Sequence, residues 1–159
     1  MADVGAVWHL RYRAAASGSY KWESVGGPRL NHSVKDGTIS DAEATSSATY
    51  TVLATAGPLI TLPLAGDYEI TIGCTVYGAT VSAVSSMSYD IGGTAAVDAD
   101  AVQVYQTSVA NIVTVPSRVR VKTGLSAVTL TAKYKSSASG TGGANFWNRT
   151  MSARPVRVG

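Results

Sequence analysis

Few residues in this 159-residue chain combine a type and a spacing that could do chemistry. Asp98 and Asp100, with Asp90 nearby, could offer oxygen ligands to calcium. A calcium loop needs a third and fourth oxygen ligand at close spacing, and none stands there. The acidic pair therefore reads as a solvated loop, and no metal site is expected. Two carboxylates could instead flank a glycosidic bond. Only ten acidic residues are present, however, and none occupies a notable strand end. Cys74 is the one cysteine, which excludes an internal disulfide framework and a four-cysteine zinc site. A nucleophilic thiol needs a neighbouring base, and only His9 and His32 are available. His9 lies between Trp8 and Leu10 and, in a strand, faces away from both, as an exposed or interfacial residue would. Gly140-Thr141-Gly142-Gly143 resembles a phosphate-binding run only superficially, because no lysine-threonine pair follows and no helix is predicted there. With no GxSxG or dinucleotide fingerprint either, the chain reads as a protein that is not an enzyme and carries no cofactor.

Charge offers a second candidate. Arg118, Arg120 and Lys122 alternate with Val119 and Val121, so a period of two puts the basic row on one strand face and the valines on the other. The plain account of this basic row is solubility and protection of a sheet edge. The sharper account is contact with an anionic glycan or an acidic neighbouring subunit. The net charge is only +3. A nucleic-acid binder would show a larger basic patch with aromatic platforms, so no nucleic-acid partner is expected.

The elements that must position these residues are strands. Charged residues make up 14% of the chain, against about 25% in ordinary domains. Ala, Ser, Thr, Gly and Val fill the difference, which suits short strands and turns. In Asp67 to Tyr77, the residues Tyr68, Ile70, Ile72, Cys74 and Val76 alternate with Glu69, Thr71, Gly73, Thr75 and Tyr77. That is a strand, and it places Cys74 among buried apolar neighbours. Met87, Tyr89 and Ile91 alternate in the next strand. Val128, Leu130, Ala132 and Tyr134 alternate with Thr129, Thr131, Lys133 and Lys135, giving one apolar and one wet face. Thr94 to Ser108 is read as a strand or an excursion loop, and Asn145 to Val158 as a last strand or two. Eight to ten strands and no helical stripe point to an all-β, antiparallel jelly roll or β-sandwich. Residues 1–27 read as an N-terminal β-hairpin or attachment segment, and residues 28–159 as the jelly-roll-like body.

The N-terminus lacks a basic region followed by an apolar run, and no stretch approaches the roughly 18 apolar residues of a membrane helix. The expectation is a soluble chain without membrane insertion, made in a cytoplasm.

Several short motifs, in order, resemble the C-terminal jelly-roll-like domain of bacteriophage tail-fibre and minor tail proteins. They include Val7-Trp8-His9-Leu10-Arg11-Tyr12, Tyr20-Lys21-Trp22-Glu23, Leu64-Ala65-Gly66-Asp67-Tyr68 and Met87-Ser88-Tyr89-Asp90-Ile91-Gly92. Lys122-Thr123-Gly124-Leu125, Ala132-Lys133-Tyr134 and Pro155-Val156-Arg157-Val158 continue the series. The step from Pro63 to Tyr68 is also similar to trimeric jelly rolls of the C1q and tumour-necrosis-factor type. The chain departs from the pattern at Arg29 and Asn31, where apolar residues would be expected.

The resemblance implies a virion protein, a homotrimer and contacts with other virion proteins, and it brings no catalytic residues with it. The leading expectation is a tail-fibre, receptor-binding domain that attaches to a host-surface glycan, with avidity from repeated copies. Asp98, Asp100 and Tyr105, in the Thr94 to Ser108 excursion, are the candidate receptor contacts. The alternative is a capsid decoration or head-fibre protein, which the start at Met1 and the short length would suit. A glycan-degrading depolymerase would need clustered carboxylates, which the sequence lacks.

Overall fold

The computed structural model describes residues 9–12, 22–26, 31–35, 42–78, 81–108, 111–137 and 143–158. Strands dominate them. In chain order they are β1 (His9–Tyr12), β2 (Trp22–Gly26), β3 (Asn31–Lys35), β4 (Glu43–Thr45), β5 (Leu59–Thr61) and β6 (Gly66–Gly78). There follow β7 (Val84–Ile91), a single 3-10 turn at Asp98–Asp100, β8 (Val102–Tyr105), β9 (Asn111–Leu125), β10 (Thr129–Ser136) and β11 (Ala144–Val158). These eleven strands form two antiparallel sheets packed as a sandwich, one more strand than the upper expectation.

The larger sheet has seven strands, running β1-β2-β11-β6-β9. β11 is its spine. One edge of β11 pairs with β6, and the other takes β2, β3 and β4 in turn. The stretch from Asn31 to Thr45 thus contributes two strands, β3 and β4. The N-terminal hairpin pairs β1 with β2 and joins the same sheet through Glu23 beside Arg157. The smaller sheet runs β5-β10-β7-β8.

The alternation read in β6 holds: Tyr68, Ile70, Ile72, Cys74 and Val76 are all buried. They meet Met87 and Tyr89 from β7 and Leu130, Ala132 and Tyr134 from β10 in one core. Burying such side chains contributes about 1.5–3 kcal/mol each, which is what holds the two sheets face to face. The ring of Tyr134 lies tilted against Phe146, centroids 5.0 Å apart. The period of two breaks in β11 where the register slips between Trp147 and Thr150, with Asn148 at φ 46°, and again between Pro155 and Arg157. Asn tolerates that left-handed conformation better than most residues. The first slip lets Phe146 and Met151, five residues apart, both face the core, while Trp147, paired with Thr75, is buried on the other side of the sheet.

The excursion Thr94 to Ser108 resolves into the 3-10 turn and β8. Residues 42–58 matter as much. This segment leaves β4 in the larger sheet and crosses to the smaller one, where Thr51 and Tyr134 exchange backbone hydrogen bonds of 2.9 and 2.8 Å. No helix among the described residues is long and apolar enough to cross a membrane.

Candidate functional site

The outward face of the smaller sheet is polar because its strands alternate. β10 contributes Thr131, Lys133 and Lys135, while β7 contributes Ser86, Ser88 and Asp90 opposite them in register. Two stretches of chain rise over this face. The first follows β7, where Gly92 (φ 59°) and Gly93 (φ 87°) make a tight turn closed by a 3.1 Å bond from the Thr94 amide to the Ile91 carbonyl. Positive φ at both positions is why glycines stand there. The chain then runs back, pinned where the Ser88 hydroxyl donates to the Val97 carbonyl at 2.9 Å. The second stretch is Ala48 to Tyr50, carried by the crossing segment.

Between them lies a cleft of about 560 Å³, whose charged lining groups are Asp90, Asp98, Lys133 and Lys135. The Tyr50 hydroxyl donates to Asp98 Oδ1 at 2.7 Å and bridges the two walls. Lys135 Nζ reaches the same oxygen at 2.5 Å and sits 4.7 Å from the Tyr50 ring centroid. Lys133 Nζ pairs with Asp90 Oδ2 at 3.3 Å. A second hollow of about 390 Å³ shares Ala48, Asp98 and Lys135 and adds Val84, Gln103 and Ser137. The Lys135 and Tyr50 hydrogen bonds hold the Asp98 carboxyl below its ordinary range. Burial, and then Asp98, push the Tyr50 phenol up, so it stays a hydrogen-bond donor.

The three candidate contacts separate. Asp98 lines the cleft. Tyr105 is 60% exposed on β8 and lines neither hollow, although it stands opposite Val84 in register and on the same strand face as Gln103. Asp100 belongs to neither. It is 5% exposed and turned towards β9, with Lys122 Nζ at 2.5 Å and Arg120 Nε at 4.0 Å. One 3-10 turn sends the two carboxylates apart, so they share no ligand.

The basic row meets the same turn. Arg118 Nη2 and Arg120 Nε donate to the Ala99 carbonyl at 3.1 and 2.9 Å. The valines alternating with the row face the other side and are open as well, Val119 at 49% and Val121 at 57% exposed. In register, Arg120 sits beside core residue Ile70 and Val121 beside Glu69, which explains the direction of each set.

Cys74 is buried, and burial pushes its thiol up to about 12 against the pull of Arg149, so at neutral pH it is a protonated core residue. The side chains of His9 and His32, and all of Trp8, Arg29 and Gly140 to Gly142, lie outside the described residues. Among the described residues, no three His, Cys, Asp or Glu side chains gather as metal ligands would.

Tyr50, Lys133 and Lys135 escaped the sequence reading as site residues. The alternation of Val128 to Lys135 did show the lysines on a wet face. Nothing local could show that Tyr50 would meet Asp98, 48 residues away. A scan of protein-family models returns no match for this chain, and comparison with curated proteins returns none.

Proposed function

We propose that this protein is a non-catalytic virion module of a tailed bacteriophage, a tail-fibre domain that attaches to the host surface. The observation that carries the reading is the cleft on the smaller sheet. It is a concave site of ligand-binding size, built from loops held on a rigid sheet. Each carboxylate lining it is paired with a lysine, an arrangement that suits holding a ligand better than proton transfer. The order of short motifs along the chain supports the phage assignment, and with it a homotrimer touching other virion proteins. Repetition would convert weak single contacts into firm attachment.

The test is adsorption of the purified protein to host cells. Lys133→Met with Asp90→Asn is expected to cut cell binding at least about tenfold while the melting temperature stays near that of the parent. Undiminished cell binding by a folded double variant would remove the cleft from the mechanism.

One observation favours a second reading, decoration of the capsid. Ile112, Val119 and Val121 are each about half exposed along β9, an open strand of the larger sheet. An open strand with an apolar outer face suits a fixed contact with a neighbouring subunit. Cryo-electron microscopy of the virion separates the two: density at the tail tip supports attachment, and density on the capsid lattice supports decoration.

A further inference from the structure

The two Asp–Lys pairs of the cleft are incompletely satisfied, and the pattern of what remains has chemical content. At Asp98, the Tyr50 hydroxyl and the Lys135 ammonium both converge on Oδ1. Its Oδ2 takes no hydrogen bond from the described residues. Asp90 is paired through Oδ2 alone, at 3.3 Å, which leaves Oδ1 in the same condition. Lys133 has three N–H donors and uses one contact. The cleft thus offers acceptor oxygens and ammonium hydrogens side by side, twice. Its lining charges, two carboxylates and two ammoniums, sum to zero.

We infer that the cleft takes an uncharged polyhydroxylated ligand, a neutral saccharide, held through adjacent hydroxyls at the Asp90–Lys133 and Asp98–Lys135 pairs. A hydroxyl donates and accepts at once. Two neighbouring hydroxyls can therefore give a hydrogen bond to a carboxylate and take one from its lysine without separating the pair. An anion approaching the lysines meets Asp90 and Asp98, and a cation approaching the carboxylates meets the lysines. Either would have to break a pair to bind. Lys133 and Lys135 are alternate residues of β10, so their Cα atoms stand about 7 Å apart on one face, a spacing comparable to a sugar ring with its hydroxyls. Ala48, Ala95 and Ala96 supply small apolar wall surface for the ring's C–H face.

The inference rests on the cleft being the attachment site, and the experiment separates the two claims. Binding of neutral gluco-, manno- and galacto-oligosaccharides to the intact protein is measured by titration calorimetry. Heparin oligosaccharides serve as the anionic comparator and chitosan oligomers as the cationic one. The expected result is binding of a neutral series that is unchanged between roughly 50 and 500 mM NaCl. Lys133→Met and Asp90→Asn should each weaken it about tenfold, with melting temperatures unaltered. Asp98→Asn, which keeps an acceptor at Oδ1, gives a second reading at the other pair should either variant fail to fold. If no neutral series binds, or if heparin or chitosan binds in its place, the ligand class is overturned. Should that occur while cell adsorption is still lost in the Lys133→Met/Asp90→Asn protein, the attachment reading survives and only the ligand class falls.

Discussion

Arg149 shows most sharply how a single side chain bends the rules of the core. It is 1% exposed, and its Nε and Nη1 have no hydrogen-bond partner among the described residues. Its compensation is Glu43, 3.4 Å from Nη2, and the face of the Tyr134 ring, 5.5 Å from Cζ. Burying a cation costs several kcal/mol, and a long contact to one carboxylate repays only part of that. Glu43 has a second task, because its Oε2 accepts from the Thr55 amide at 2.7 Å. The carboxylate therefore ties the crossing segment, and with it the Tyr50 wall, to the spine strand β11. Glu43→Gln strands a buried charge and is expected to cost about 3 kcal/mol in urea unfolding. Arg149→Met removes the charge and keeps much of the volume, so its cost should be clearly smaller. The reverse order would show that the ion pair is not what burdens this region.

Among the elements, β9 carries the most instructive arrangement. Its Lys122 and Arg120 surround Asp100, and its two arginines hold the Ala99 carbonyl. The 3-10 turn at Asp98–Asp100 is thereby clamped between the sheets' edges, and the chain just before it forms a wall of the cleft. The ladder to β6 slips at Pro116-Ser117, where a residue without an N–H interrupts pairing. Asp100→Ala leaves Lys122 and Arg120 facing each other and should destabilise the protein by about 3 kcal/mol. Amide exchange should speed up over Asp98 to Val102 well before it does in β6, the buried central strand. Exchange that rises uniformly would mean the clamp holds the whole fold and not the turn.

For the whole molecule, the sheets are unequal, seven strands against four. The open strand β9 presents Val119 and Val121 outward, with Arg120 between them turned to the other side. A flat, apolar open edge invites pairing, and natural proteins usually blunt it with charge. Here the charges of the strand lie on its other side, Lys122 and Arg120 at Asp100 and Arg118 at the Ala99 carbonyl. In the proposed trimer, this strand is the surface we expect to be covered by a neighbouring copy. Val119→Lys with Val121→Lys should then shift the mass seen by light scattering at micromolar concentration from trimer to monomer, with the circular dichroism spectrum unchanged. A parent protein that is already monomeric under the same conditions would remove the trimer from the proposal.

The sequence by itself determined the architecture at the level of strands and faces. Tyr68 to Val76 and Leu130 to Tyr134 had to be core, because only one face of a pleated strand can meet another sheet. Cys74 had to be inert for the same reason. It also determined that Arg118, Arg120 and Lys122 would share a side opposite Val119 and Val121. It could not say which side faces water, since a period of two carries no sign. Tertiary structure settled that, because the carboxylate of Asp100 arrives from a turn some twenty residues earlier and the inner side becomes the one that satisfies charge. The same limit applies to the site. Asp98 and Tyr105 were legible as polar residues of an excursion over a sheet. The separation of Asp98 from Asp100, the Glu43 tie and the meeting of Tyr50 with Lys135 all depend on contacts between distant segments. No local pattern encodes them, because each partner lies on a different strand or loop and only the packing of two sheets brings them together.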